Sequence, residues 1–160
     1  VLGTGELVVQ LTVFAPSGCP AAAVTSTPVR PTPPAGVAVQ DAQTRQAVME
    51  LNQQARGGSG DPYYGAPVIV VVLGDGERAN YLADGSCVLE NLMLAAHAEG
   101  LGTVWVNRER EIFDSPDGKA LLRDWGLPET LRGVGAIALG YATGPAPETA
   151  PRKENYIVHV

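Results

Sequence analysis

The chain has 160 residues, 45% of them apolar, which suffices for one domain with a sizeable core. Its formal net charge is −6, and its cations are scattered singly apart from Arg152-Lys153. The basic face that nucleic-acid binding needs is therefore absent, and no apolar run approaches a membrane span.

Glu6 to Phe14 has two readings. Leu7, Val9, Leu11 and Val13 alternate as on a strand, whereas Leu7, Leu11 and Phe14 mark one helical stripe. Ala15-Pro16-Ser17-Gly18 is a turn. Cys19 to Val39 then carries Pro20, Pro28, Pro31, Pro33 and Pro34, which deny it a helix and a central strand, so an extended atypical loop over 19–39 is expected. Asp41 to Ala55 reads as a helix capped by Asp41, with Ala47, Val48, Leu51 and Ala55 as a narrow apolar stripe. Asp61-Pro62-Tyr63-Tyr64-Gly65 is an aromatic-rich turn. Its tyrosines either cover a ligand or pack on the domain surface with wet hydroxyls.

Ala66 to Arg108 is the stretch around which the rest must pack. Val68 to Leu73 is a β-branched, uninterrupted run, the pattern of a strand buried on both faces. A polar loop, Glu77 to Gly85, precedes a helix over Ser86 to Glu99 that is apolar almost all round, and so belongs inside a domain or an interface. Ser86 is the expected N-cap and Gly100 the expected C′ residue. Gly100-Leu101-Gly102 turns into a second strand, Thr103 to Val106. Ser115-Pro116-Asp117-Gly118 then starts a helix carrying Leu121, Leu122 and Trp125. Val134 to Leu139 is a strand, Gly140 to Ala150 a Pro/Gly-rich linker, and Tyr156 to Val160 a short strand.

The chemistry-bearing residues form no hydrolytic or metal pattern. There is no Gly-x-Ser-x-Gly elbow, no His-x-x-x-His, no Walker loop and no Gly-x-Gly-x-x-Gly after either strand. Cys19 and Cys87 have neither framework nor metal spacing and are expected as isolated thiols, Cys87 buried. This cysteine usage, without a positively charged, apolar-cored leader, fits a reducing cytoplasm. His97 is expected as a core histidine. Arg152-Lys153 reads either as a solvated tail or, if the strand after it docks, as two fixed cations facing a phosphate.

Several stretches together resemble the nitroreductase family of flavin enzymes. They are Asp61-Pro62-Tyr63-Tyr64-Gly65-Ala66-Pro67, Asp84-Gly85-Ser86 with Leu89 to His97, and Gly100-Leu101-Gly102 with Trp105. Phe113 to Lys119, Trp125-Gly126, Leu139-Gly140-Tyr141 and Ala150 to Tyr156 follow in order, and Ala15-Pro16-Ser17-Gly18 is similar to a family turn. The resemblance implies one α+β domain over residues 1–160: a mixed sheet flanked by helices, in an intertwined homodimer. In it the long apolar helix lies in the dimer interface and the C-terminal strand crosses to the partner. It further implies FMN, with electrons passing from NAD(P)H through the flavin to a nitro compound, quinone or similar small acceptor. No side chain is implied as catalytic.

By the same resemblance, Arg152 and Lys153 would hold the FMN phosphate. Pro16, Ser17 and Gly18 would line the ring or ribityl chain, and Val106, Asn107 and Arg108 would lie by the N5 edge. Tyr63 and Tyr64 would stand near the substrate mouth. Two features depart from the pattern. No Arg-rich motif precedes Ala15, and Cys19-Pro20-Ala21 stands where the family has an Asn-Arg-Gln type triplet. They motivate an alternative, a non-catalytic dimeric scaffold that has lost flavin binding. An ordinary doubly wound nucleotide-binding module is a weaker third reading.

Overall fold

The structure, a computed structural model, describes residues 35–142, 144, 148–154, 156–158 and 160. Glu6 to Phe14, the Ala15–Gly18 turn with Pro16, Ser17 and Gly18, and most of the Pro-rich stretch lie outside these residues.

Four strands form one sheet: β1 (Ala35–Val39), β2 (Val68–Asp75), β3 (Gly102–Val106) and β4 (Leu131–Gly140), in the order β1-β2-β4-β3. Every pairing among them is antiparallel. β2 and β3 therefore run in the same direction with β4 inserted between them. Four helices complete the order: α1 (Ala42–Arg56), α2 (Tyr81–Ala98), α3 (Glu109–Asp114) and α4 (Pro116–Asp124). The architecture is α+β, an antiparallel sheet flanked by helices.

β2 is central, and its alternation divides the core. Ile69, Val71 and Leu73 face one cluster with Val48, Ile112, Phe113 and Leu122, drawn from α1, α3 and α4. Val68, Val70 and Val72 face the other, with Leu89 of α2 and Ile137 and Leu139 of β4. Both faces are covered, which is why the run is apolar without interruption. At about 1.5–3 kcal/mol for each fully buried aliphatic side chain, this strand is a major source of stability among the described residues.

α1 starts where Asp41 accepts the Thr44 N–H (2.8 Å) and ends at Gly57 in the left-handed conformation (φ 66°). α4 starts where the Ser115 hydroxyl accepts the Gly118 N–H (3.1 Å), with Pro116 at the first helical position. Both starts match the sequence expectation.

Other expectations are corrected. The long helix begins at Tyr81, after Asn80, and not at Ser86. Gly85 reads as loop in sequence, yet here it is the point where α2 crosses β4. A Cβ on it would meet Val134 Cγ2 at 2.6 Å, so glycine permits close packing within the helix. The Pro-rich stretch ends in a strand, β1: its prolines stop at Pro34, and Ala35 to Val39 is free to pair as an edge strand. Tyr156 to Val160 forms no strand among the described residues; Tyr156, Ile157 and Val158 are all exposed. Cys87 and His97 are likewise exposed, on the outer side of α2. In one chain this helix buries only the face carrying Tyr81, Gly85 and Leu89.

Gly133 of β4 sits against the start of α3, where an added Cβ would lie 2.1 Å from the Glu109 carbonyl carbon and oxygen. Both neighbours are backbone and cannot swing aside. Gly133→Ala is expected to cost about 3 kcal/mol, at the upper end of core overpacking, read as a lower urea midpoint at unchanged m.

Candidate functional site

The residues that converge on one place come from α1, the turn before β2, and the corner between β3 and α3. Asp61 shapes the turn. Its carboxylate accepts the Tyr63 N–H (2.8 Å) and the Gly65 N–H. This sends the two adjacent tyrosines in opposite directions. Tyr63 is buried at 1% exposure, whereas Tyr64 is 73% exposed, with a left-handed backbone (φ 58°). The Tyr63 hydroxyl is not wet: it donates to Glu109 Oε1 (2.9 Å) and accepts from Asn52 Nδ2 (3.2 Å). The second hydrogen of the Asn52 amide goes to the Asn107 carbonyl (3.0 Å). A carbonyl only accepts, so the amide must present its nitrogen here, and its orientation is fixed.

The corner is unusual in its backbone. The β3–β4 ladder ends at Val106↔Ala136. Asn107 and Arg108 follow, both exposed, and Arg108 is left-handed at φ 91° before α3 begins. A non-glycine residue held there costs on the order of 1–3 kcal/mol. Arg108 is thus flanked by two residues tied inward, Asn107 through its carbonyl and Glu109 through its carboxyl. Val106 is buried at the strand end.

Glu109 is fully buried, and its Oε2 has no hydrogen-bond partner among the described residues. Burial pushes its carboxyl up to about 7, with the Tyr63 hydrogen bond acting in the opposite sense. Burial first, and the Glu109 charge second, hold the Tyr63 phenol well above the usual tyrosine range.

Arg152 and Lys153 are exposed, and neither hydrogen-bonds nor ion-pairs with another described residue. Arg132, by contrast, is committed: it pairs with Asp114, and its guanidinium carbon lies 5.7 Å from the Tyr81 ring centroid. Of the residues singled out from the sequence, the structure brings Tyr63 to the Asn107 and Arg108 corner, through Asn52 and Glu109. Tyr64 stands out from the same turn. Asn52 and Glu109 were not singled out. Asn52 had a signal, a polar residue four positions after Val48 on the apolar stripe of α1. Glu109 had none, within the polar run Asn107-Arg108-Glu109-Arg110-Glu111.

The comparisons agree with this architecture. The model of the nitroreductase family matches residues 21–141, and the chain belongs to that family. Comparison with curated proteins found no match. Among solved structures, the chain is similar to an FMN-bound nitroreductase from Bacteroides fragilis, at 26% identity and a TM-score of 0.69, covering 84% of this chain and 80% of that one. It also shares its fold with an FMN-bound nitroreductase from Desulfitobacterium hafniense (20% identity, TM-score 0.68, 80% and 76% covered). An FMN-dependent nitroreductase from Clostridium difficile is a third (18% identity, TM-score 0.61, 80% and 78% covered).

Glu109 makes stability depend on pH. Between its ordinary value of 4.5 and about 7, the folded chain keeps a proton that the unfolded chain has released. Stability should fall as pH rises through that window and the effect should be constant above it. Glu109→Gln removes this dependence. Relative to E109Q, the wild type is expected to lose on the order of 2–3 kcal/mol between about pH 5 and pH 8, measured by urea unfolding.

Proposed function

We propose that this chain is an FMN-dependent oxidoreductase that passes electrons from NAD(P)H to a nitro compound, quinone or similar small acceptor, as a homodimer. The observation that carries the reading is the corner after β3. Its outer side offers exposed, polar Asn107 and Arg108, while its inner side is tied down by Asn52 and Glu109. A rigid polar edge facing outward suits the ring of a flavin better than a mobile loop would.

The donor chemistry also fits. Arg108, Arg152 and Lys153 are exposed cations with no acidic partner among the described residues, and an anionic phosphate calls for such groups. In this reading Arg152 and Lys153 take the phosphate, the Val106–Arg108 segment borders the reactive edge of the ring, and Pro16, Ser17 and Gly18 line the ring or ribityl chain. Tyr64 borders the acceptor, whereas Tyr63, expected there too, is buried and stands behind the corner. The flavin, when bound, supplies the two-electron chemistry, and the protein binds, orients and shields it. This chain's own residues set the ring's position and the charge around it.

The homodimer rests on α2 and the tail. Ala83, Cys87, Leu94 and Ala98 share the uncovered side of α2, and Leu94 is 58% exposed. An apolar helical face of this kind is expected to be covered by another surface. The exposed Tyr156, Ile157 and Val158 need one too, and β3 leaves a sheet edge unpaired by any described strand.

Three measurements test the reading. Added FMN should be bound, with its fluorescence quenched, and the loaded protein should oxidise NADH or NADPH in the presence of a nitroaromatic or a quinone. Replacing Arg152 and Lys153 together by Ala should weaken FMN binding by about 10²- to 10⁴-fold, the value of two charge-assisted hydrogen bonds. Leu94→Arg should convert a dimer to monomer in sedimentation velocity. A wild type that takes up no FMN would favour the non-catalytic scaffold, to which the Cys19-Pro20-Ala21 departure points.

A further inference from the structure

The polar chain behind the corner is the most heavily buried polar feature described. Asn52 and Glu109 are 1% and 0% exposed, and the Tyr63 ring is 1% exposed between them. One arrangement of its hydrogens makes all three bonds. Asn52 gives one to the Asn107 carbonyl and one to the Tyr63 oxygen. Tyr63, already accepting, gives its own to Glu109 Oε1. The chain therefore touches the corner twice, at residue 107 and at residue 109, on either side of the left-handed Arg108.

Gly133 of β4 also packs against the Glu109 carbonyl, but among the described residues no other side chain hydrogen-bonds the backbone of residues 107–109. The ladder stops at Val106, and the first helical bond of α3 uses the Arg108 carbonyl, accepting from Ile112. Arg108 has a Cβ and gains nothing by itself from φ 91°; the two flanking anchors, together with β4 at Gly133 and the first turn of α3, hold that conformation.

We propose that Asn52, Tyr63 and Glu109 are positioning residues, a buried amide–phenol–carboxyl bracket that clamps the peptide on both sides of Arg108 and thereby sets the outward face presented to the flavin. The second half of this statement rests on the flavin reading; the first half does not.

The test reads backbone amide exchange and FMN binding in parallel, on the full-length wild type and on N52A, Y63F and E109Q. Y63F keeps the ring and E109Q the shape, so the set remains informative if N52A does not fold. In the absence of FMN, N52A and Y63F should exchange about tenfold faster than wild type over residues 107–110, with β2 and α2 unchanged. E109Q, which can still accept from Tyr63 at Oε1, should stay near wild type. FMN affinity should fall about tenfold in the first two variants, and the shape of the bound flavin's blue absorption band should change with it. Folded Y63F and N52A with wild-type exchange over 107–110 would overturn the bracket. Faster exchange with unchanged FMN affinity and band shape would overturn its link to the flavin. A wild type that binds no FMN would instead overturn the flavin reading, while the exchange measurement still decides the bracket.

Discussion

The side-chain amide of Asn52 is the contact on which the candidate site depends. It has two hydrogens and commits both, one to a backbone carbonyl on the β3–α3 corner and one to the phenol that reaches Glu109. The three links of this buried polar chain are made, and breaking one leaves further polar atoms unpaired in a buried space. The fold closes that space. α1 brings Asn52 to the corner from one side, the Asp61 turn drops Tyr63 between them, and Gly133 lets β4 approach the Glu109 backbone closely enough to shut the space.

The division of labour across the sheet follows from β2. One of its faces packs against α1, α3 and α4 and so fixes the bracket and the corner. The other packs against α2 and leaves the outer side of that helix uncovered. The helix is apolar nearly all round for two reasons: one face meets the sheet, and the other, in the proposed homodimer, meets a second copy. The exposed positions of Cys87 and His97 fall on that outer side, which explains why a reading of one buried helix placed both in a core.

Much of the scaffold was legible because it is written in local physics. The β-branched run of β2, the Asp41 and Ser115 caps and the Gly100 turn each have a short-range cause, and each stands where it was expected. What was misread depends on distant neighbours. Gly85 looked like a loop residue until Val134 was found against it. Ala35 to Val39 looked like loop until β2 offered it a partner. Asn107, Arg108 and Tyr63 carry sequence signals and stand together in the structure, but the inner half of the candidate site carries almost none. Glu109 is one of five consecutive polar residues, and only the tertiary approach of β4 decides that this one turns inward. Asn52 carried a faint signal, an amide on an apolar stripe.

In the proposed flavoprotein the corner is held rigid from within and receives the flavin on its outer side. Amide exchange of the unaltered protein with and without saturating FMN addresses this most directly. The account requires slow exchange over residues 107–110 before FMN is added, and further protection on binding that includes residues 106–108 and 152–153. Fast exchange at the corner in the free protein, or FMN-dependent protection that spares both segments, would contradict it.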